Sequence, residues 1–581
     1  MLRRLGSRRL RYEQGRRSAP DLEEDFMVKR LAVSAMAALA FMGLAAPAAA
    51  QRTQLTIGVS QFPPNFHPSI EPTVAKSYAL NIARRPFTAY DHDWKVACFS
   101  CTEVPSLENG RAKVVTRADG SRGMEVRFTL RDDMLWGDGV PMTSKDIAFT
   151  HEVGRNPAMG FNNPELFDNI ERIEVVDDKT VVMHLKRVRY DFDHLWDFQI
   201  IPEHIEGPVY RALASPSEYG RQTAFNRAPT TAGLYNGPYL VSEFQAGQYI
   251  VYTRNPHWKG MRPQFDRVIL RTIENTAVLQ QNLLSGDIDF VSGELGLTLD
   301  QGLEMAKRNA DRFNFVFEPG LIYEHIDLNM DNPILKDRRV RYALLHAINR
   351  DQLSERLFEG RQPVAHSWVN PRDRGFHQGI KRFANDPALA RRLLDEAGWR
   401  PGPGGVRVKD GQRLTLEFAT TAGNRIRELV QQALQSQWRD VGVDVVIKNE
   451  PARTFFGQTM RQRTYSGLAM YAWSSSPESP PVVTLRSDNI PTQANGFSGS
   501  NYPGFSNARM DELINLTLQE LDGEKRKGYW AEMQNIYADE LPVLPLYFRA
   551  DVFVIPKWLT GVRPTGHFMS TTLFIEQWRA N

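Results

Sequence analysis

The sequence predicts a mixed α/β protein of more than one domain, on three observations. At 581 residues the chain is too long for a single hydrophobic core. Residues 414–447 order as strand, helix and strand: Leu414–Thr420, Ile426–Val441 ending at Gly442, then Val443–Ile447. That order forms a parallel, right-handed unit whose second strand is expected to be buried. Residues 126–150 order as strand, turn and helix. Val126, Phe128 and Leu130 alternate with Arg127, Thr129 and Arg131, as in a half-buried strand. Gly137-Asp138-Gly139 supplies a tight turn. Thr143 and Asp146 have capping-box spacing, with Asp in place of Glu or Gln. The helix that follows is expected to face inward at Ile147, Ala148 and His151.

From the N-terminus, Met27-Val-Lys-Arg30 is a short basic segment, Leu31–Leu44 an apolar one, and Ala48-Ala49-Ala50 a small-residue cleavage signal before Gln51. A secretory leader removed after Ala50 is expected. The alternative is a membrane anchor, which the alanine content and Pro47 argue against. Residues 1–26 do not fit the leader pattern and precede it either as an extension or because the true start is Met27 rather than Met1. Leu55–Val59 opens the mature chain as a strand, and Val74–Phe87 is a helical patch. Asp91–Val115 is polar and hairpin-like. Ile170–Leu185 holds two alternating strands split by Asp177-Asp178-Lys179. With 126–150 it makes a small α+β subdomain. Phe265–Arg271 alternates as a strand. Gly286 ends a helix in the position that favours positive φ. Leu321–Leu328 has strand character. Val340, Ala343, Leu344, Ala347 and Ile348 form one apolar helix face. Asp511–Leu521 and Glu524–Leu541 are amphipathic helices, followed by short strands at Leu544–Tyr547 and Val552–Val554.

Composition is that of a globular protein, 42% hydrophobic and 24% charged. Residues 1–50 hold nine Lys/Arg and five Asp/Glu, so 62 basic and 63 acidic side chains remain beyond them. That balance gives no basic face for nucleic acid. There is no Gly-x-Ser-x-Gly elbow, His-Glu-x-x-His pair or phosphate-binding loop. His151, His184, His194 and His204 have no metal-ligand spacing. Cys98 and Cys101 are the only cysteines. They fit a local disulfide in an oxidising compartment, a redox pair, or two free thiols.

The string Phe128, Leu130, Arg131, Trp136, Asp138, Gly139, Pro141, Thr143 and Asp146 places nine fixed residues within nineteen. It resembles the signature of the family 5 extracellular solute-binding proteins of ABC importers, which include oligopeptide-, dipeptide- and nickel-binding proteins. Asn329, Pro333, Asp337, Arg339, Val340, Arg341, Ala343, Ala347, Ile348 and Arg350 match a second family pattern. Ala390, Leu393, Leu394, Ala397, Gly398 and Trp399 match a third. The resemblance implies a type II, Venus-flytrap fold of two α/β lobes joined by crossing strands. Residues 51–90 and 226–320 would form lobe I, with the small α+β subdomain at 91–225. Residues 321–545 would form lobe II, and 546–581 would return to lobe I.

The resemblance also implies a function. The chain would be a periplasmic, monomeric, non-enzymatic binding component without a cofactor. It would hold a small or oligopeptide ligand and deliver it to an inner-membrane permease and ATPase. Trp473 lies where peptide-binding relatives carry Gly-Trp-x-x-Asp, the Trp lining the cleft and the Asp pairing with the peptide's α-amino group. Ser476 occupies that Asp position, which puts simple amine recognition in question. Glu478, two residues on, is a substitute carboxylate or a solvated loop residue. Phe62, Tyr323, Trp368 and Tyr471 are further cleft candidates or plain packing. Asn329 is a ligand donor or a turn cap. A metal-chelate or haem binder of the same fold is the alternative, with a periplasmic hydrolase as the reading from another class.

Overall fold

The structure is a computed structural model that describes residues 52–291 and 293–581. The expected leader, its cleavage after Ala50 and the 1–26 extension lie outside the described residues.

One ten-stranded sheet runs through both lobes. In the first lobe Gln54–Val59 pairs in parallel with Arg267–Thr272 and with Phe290–Val291. Tyr249–Arg254 and Tyr239–Gln245 extend it antiparallel to the edge. In the second lobe Thr415–Ala419 pairs in parallel with Asp444–Ile447 and with Leu468–Ser474. The two halves are joined by long antiparallel strands, Phe313–Leu328 and Val543–Pro556. Their first-lobe end pairs through Val554 with Val291. Their second-lobe end pairs from Ile322 onward with Leu468–Ser474.

The register of the crossing strands shifts between Pro319 and Tyr323 and again between Glu324 and His325. Pro319 has no N–H to give the ladder, and such residues sit at bulges and edges. This is where the chain passes from one lobe's pairing to the other's. The sequence shows only Leu321–Leu328, Leu544–Tyr547 and Val552–Val554 as strands. Pro319-Gly320 and Pro545 break the periodicity of segments that are continuous in the fold.

Each lobe has its own core. Leu55, Ile57, Phe198 and Trp578 anchor the first, together with Val126 and Phe128 of the small subdomain. Ile326, Leu344, Phe418 and Trp438 anchor the second. The subdomain's sheet runs Ala112–Thr116, Arg122–Thr129, Thr180–Leu185, Ile170–Val175. Helix Ser144–Gly154 packs on it behind a complete Thr143/Asp146 capping box, burying Ile147, Phe149 and His151. Ala148 is only half-buried.

Cys98 and Cys101 form a disulfide. It closes the turn after the Thr88–Tyr90/Val96–Cys98 hairpin, and Cys101 bridges to Leu130. The strand expected to be buried at 443–447 is instead the sheet edge. Val443 and Val445 are buried, but Val446 is 53% exposed. Val443 and Val445 pack into the second-lobe core with Val430, Leu434 and Trp438 of the helix Arg425–Asp440, while the opposite face at Val446 is left open.

Candidate functional site

A cavity of about 130 Å³ opens at the second-lobe end of the crossing strands. Its floor is Tyr323, His325 and Asp327, alternate residues of one strand and therefore on one face. Trp473, at the end of the neighbouring strand Leu468–Ser474, forms one wall, and Trp368 and Tyr537 another. The loop that follows Trp473, with Ser475, Ser479 and Pro480, forms the rim.

The floor is a connected polar network inside an aromatic box. The buried Tyr471 hydroxyl donates to Asp327 Oδ2. His325 Nε2 lies 3.3 Å from Asp327 Oδ1, and its Nδ1 lies 3.1 Å from the Tyr323 carbonyl. The Tyr323 and Tyr537 hydroxyls meet at 2.6 Å. Burial, then the Asp327 carboxylate, pushes the Tyr471 phenol far up, so it stays a donor. The Tyr323 ring stacks on His325 at 5.0 Å, and Trp473 stacks on Tyr502 at 6.0 Å. The Trp368 indole Nε1 is buried with no hydrogen-bond partner among the described residues.

The first lobe closes over the rim. Tyr90 donates its hydroxyl to the Pro477 carbonyl at 3.1 Å, and Tyr190 donates to the Glu478 carbonyl at 2.8 Å. The Tyr190 N–H reaches the Leu518 carbonyl at 3.1 Å. The Arg526 guanidinium sits 5.3 Å over the Tyr190 ring. Asp373 braces the rim from below, accepting the Glu478 N–H at 2.7 Å and the Gly375 N–H at 2.7 Å. Burial raises the Asp373 carboxyl to about 6 and the Asp193 carboxyl to about 7. Burial lowers His194 to about 4.

Of the residues singled out in the sequence, the cavity brings together Trp473, Trp368 and Tyr323. Tyr471 backs it through Asp327. Four do not line it. Phe62 packs against the first-lobe core, with Phe66 at 6.3 Å. Asn329 is spent on the backbone: its Nδ2 donates to the Tyr465 carbonyl and its Oδ1 accepts the Asp331 N–H at 3.0 Å. Ser476 lies in the rim turn, its carbonyl accepting the Ser479 N–H at 3.2 Å. Glu478 has φ +54° and meets the first lobe through its main chain. His325 and Asp327 were missed. The signal for them is the run Tyr323-x-His325-x-Asp327, polar groups repeating every second residue beside an apolar Ile326 and Leu328. On a strand that pattern normally marks a solvent face.

The model of bacterial extracellular solute-binding proteins, family 5 (middle), matches residues 117–489. The oligopeptide-binding protein AppA of Bacillus subtilis is 25% identical over 482 residues, covering 80% of this chain and 82% of AppA. The oligopeptide-binding protein of Thermus thermophilus, solved with a pentapeptide, is 30% identical at a TM-score of 0.67. The match covers 91% of this chain and 96% of that one. NikA of Brucella suis, solved with Fe(III)-EDTA, shares the fold at a TM-score of 0.73 and 21% identity, over 91% of this chain and all of NikA. With its two lobes, its shared sheet and a family match over more than half its length, this chain belongs to the family 5 bacterial extracellular solute-binding proteins.

Proposed function

We propose that the chain captures a peptide or peptide-like solute between its lobes in the periplasm. It then hands the solute, unaltered, to an inner-membrane ABC permease and its ATPase. The observation that carries this is the aromatic cavity of Trp473, Trp368 and Tyr323, beside a loop whose Pro477 and Glu478 carbonyls accept first-lobe hydroxyls. Every residue lining that cavity is in the second lobe, so a solute seated in it and extending into the cleft reaches the first lobe only when the lobes are shut, and its binding energy then favours the shut state. Micromolar affinity needs about −8 kcal/mol, which a mostly aromatic pocket with a few placed polar groups supplies. Peptide-binding relatives support a peptide, and the chelate-binding NikA keeps a metal chelate as the alternative. Secretion after Ala50 supplies the compartment in this reading.

The test is a thermal-shift screen of the purified protein against short peptides, with mass spectrometry of whatever co-purifies. A peptide at a hundred times its Kd should stabilise the fold by about 2.7 kcal/mol and be recovered intact. Stabilisation by metal chelates and by no peptide would overturn the peptide assignment. Recovery of cleaved peptide would overturn the passive role.

A further inference from the structure

Among the described residues that line the cavity, Asp327 and His325 are the only carboxylate and imidazole; the rest are aromatic, aliphatic, proline, serine and threonine, with two tyrosines. Both are buried, at 2% and 1% exposure. A carboxylate taken out of water needs compensation. One donor is present, the Tyr471 hydroxyl. Both ring nitrogens of His325 face acceptors, Nδ1 the Tyr323 carbonyl at 3.1 Å and Nε2 the Asp327 Oδ1 at 3.3 Å. A neutral ring has one proton for these two acceptors, so carbonyl, ring and carboxylate together are one donor short. The surrounding walls are Trp473, Trp368 and Tyr323, whose ring faces attract cations.

We propose that this cavity is a specificity pocket for a cationic nitrogen group on the ligand's side chain, a protonated amine or a guanidinium, held against Asp327. The inference rests on the peptide reading above and deepens it. It places the discriminating charge on the crossing strand, away from the rim position of Ser476. A cavity of about 130 Å³ suits one side chain rather than a whole oligopeptide. The rest of a peptide would lie outside it, along the cleft. A second proton on the His325 ring would supply the missing donor internally and erase the preference, and the experiment reads that outcome directly.

The experiment is calorimetric titration of the full-length purified protein with tripeptides that differ only in the middle residue: lysine, arginine, norleucine or glutamate between alanines. N-acetylated versions of each separate a side-chain charge from the terminal amine. Lysine or arginine should bind at least roughly tenfold tighter than norleucine, as charge-assisted hydrogen bonds in a dry site do. Glutamate should bind weakest, and the order should survive acetylation. Lysine and arginine compared with each other distinguish the amine from the guanidinium. In D327N the lysine-to-norleucine ratio should collapse toward one; binding of the norleucine peptide shows that the variant is folded. The wild-type panel decides the matter without any variant. Equal affinities, a preference for glutamate, or a preference lost on acetylation would overturn this inference and leave the peptide reading standing. Failure of every peptide to bind would overturn both.

Discussion

Trp473 is half-exposed at the mouth of the cavity, stacked on Tyr502 and edge-on to Tyr471 at 5.7 Å. A fully buried tryptophan costs about 3–5 kcal/mol when truncated to alanine. Trp473 has one face open, so Trp473→Ala should leave the ligand-free melting temperature nearly unchanged and abolish the ligand-induced shift. An undiminished shift in a fluorescence melt would remove Trp473 from the site. Its place was legible because a linear motif carries it. The partners on the floor were not. His325 and Asp327 alternate with Ile326, as exposed polar residues do, and only the neighbouring strand and the wall above turn that face inward. The rim was also illegible in detail. Glu478 adopts a left-handed backbone that sequence does not announce, and its main chain rather than its carboxylate makes the contacts.

At the scale of elements, the short regular pieces were the legible ones. The capping box at Thr143 and Asp146, the 170–185 hairpin and the parallel unit of 415–447 each rest on local spacing. The crossing strands are set by non-local pairing and tolerate a proline and a register slip, so their length was hidden. Beside that slip sits Glu324, fully buried, bonded to Arg427 Nε at 2.6 Å and to Arg549 Nε at 2.8 Å. Burial alone would raise its carboxyl, but the Arg549 and Arg427 charges outweigh that and hold it below the usual range. Its folded value is thus depressed. The stability it contributes is present above the unfolded value of about 4.5 and is lost as pH falls through the folded one. Glu324→Gln should leave Arg427 and Arg549 without their shared carboxylate and cost about 3–5 kcal/mol at neutral pH. The gap between variant and wild type should narrow in acid. Denaturant melts at pH 7 and pH 3 check this; a constant gap would show that the charge is not what matters.

For the whole molecule, closure couples to protons. Asp193 of the first lobe is raised by burial and then by the Asp191 and Glu478 carboxylates, and Asp373 of the second by burial and then by Glu478; backbone hydrogen bonds and the Arg526 and Arg374 charges pull the other way. Opening the lobes hydrates these groups and returns them toward about 3.8. Between about pH 4 and pH 7 the shut form therefore holds protons that the open form releases. Ligand affinity should fall as pH rises across that window, by a factor on the order of ten for each unit of raised pKa relieved. Titration calorimetry from pH 5 to pH 8 in two buffers should show weaker binding at the alkaline end. Proton uptake should accompany binding near pH 6. A flat profile would mean that both carboxyls keep the same surroundings when the lobes part.

The two tyrosine hydroxyls that fasten the lobes both end on main-chain oxygens, those of Pro477 and Glu478. Every residue has such an oxygen, whatever its side chain. The gate can therefore keep shutting while Ser474, Ser475 and Ser476 mutate freely beside it. Taste for a new nutrient could drift in this segment without relearning how to swallow.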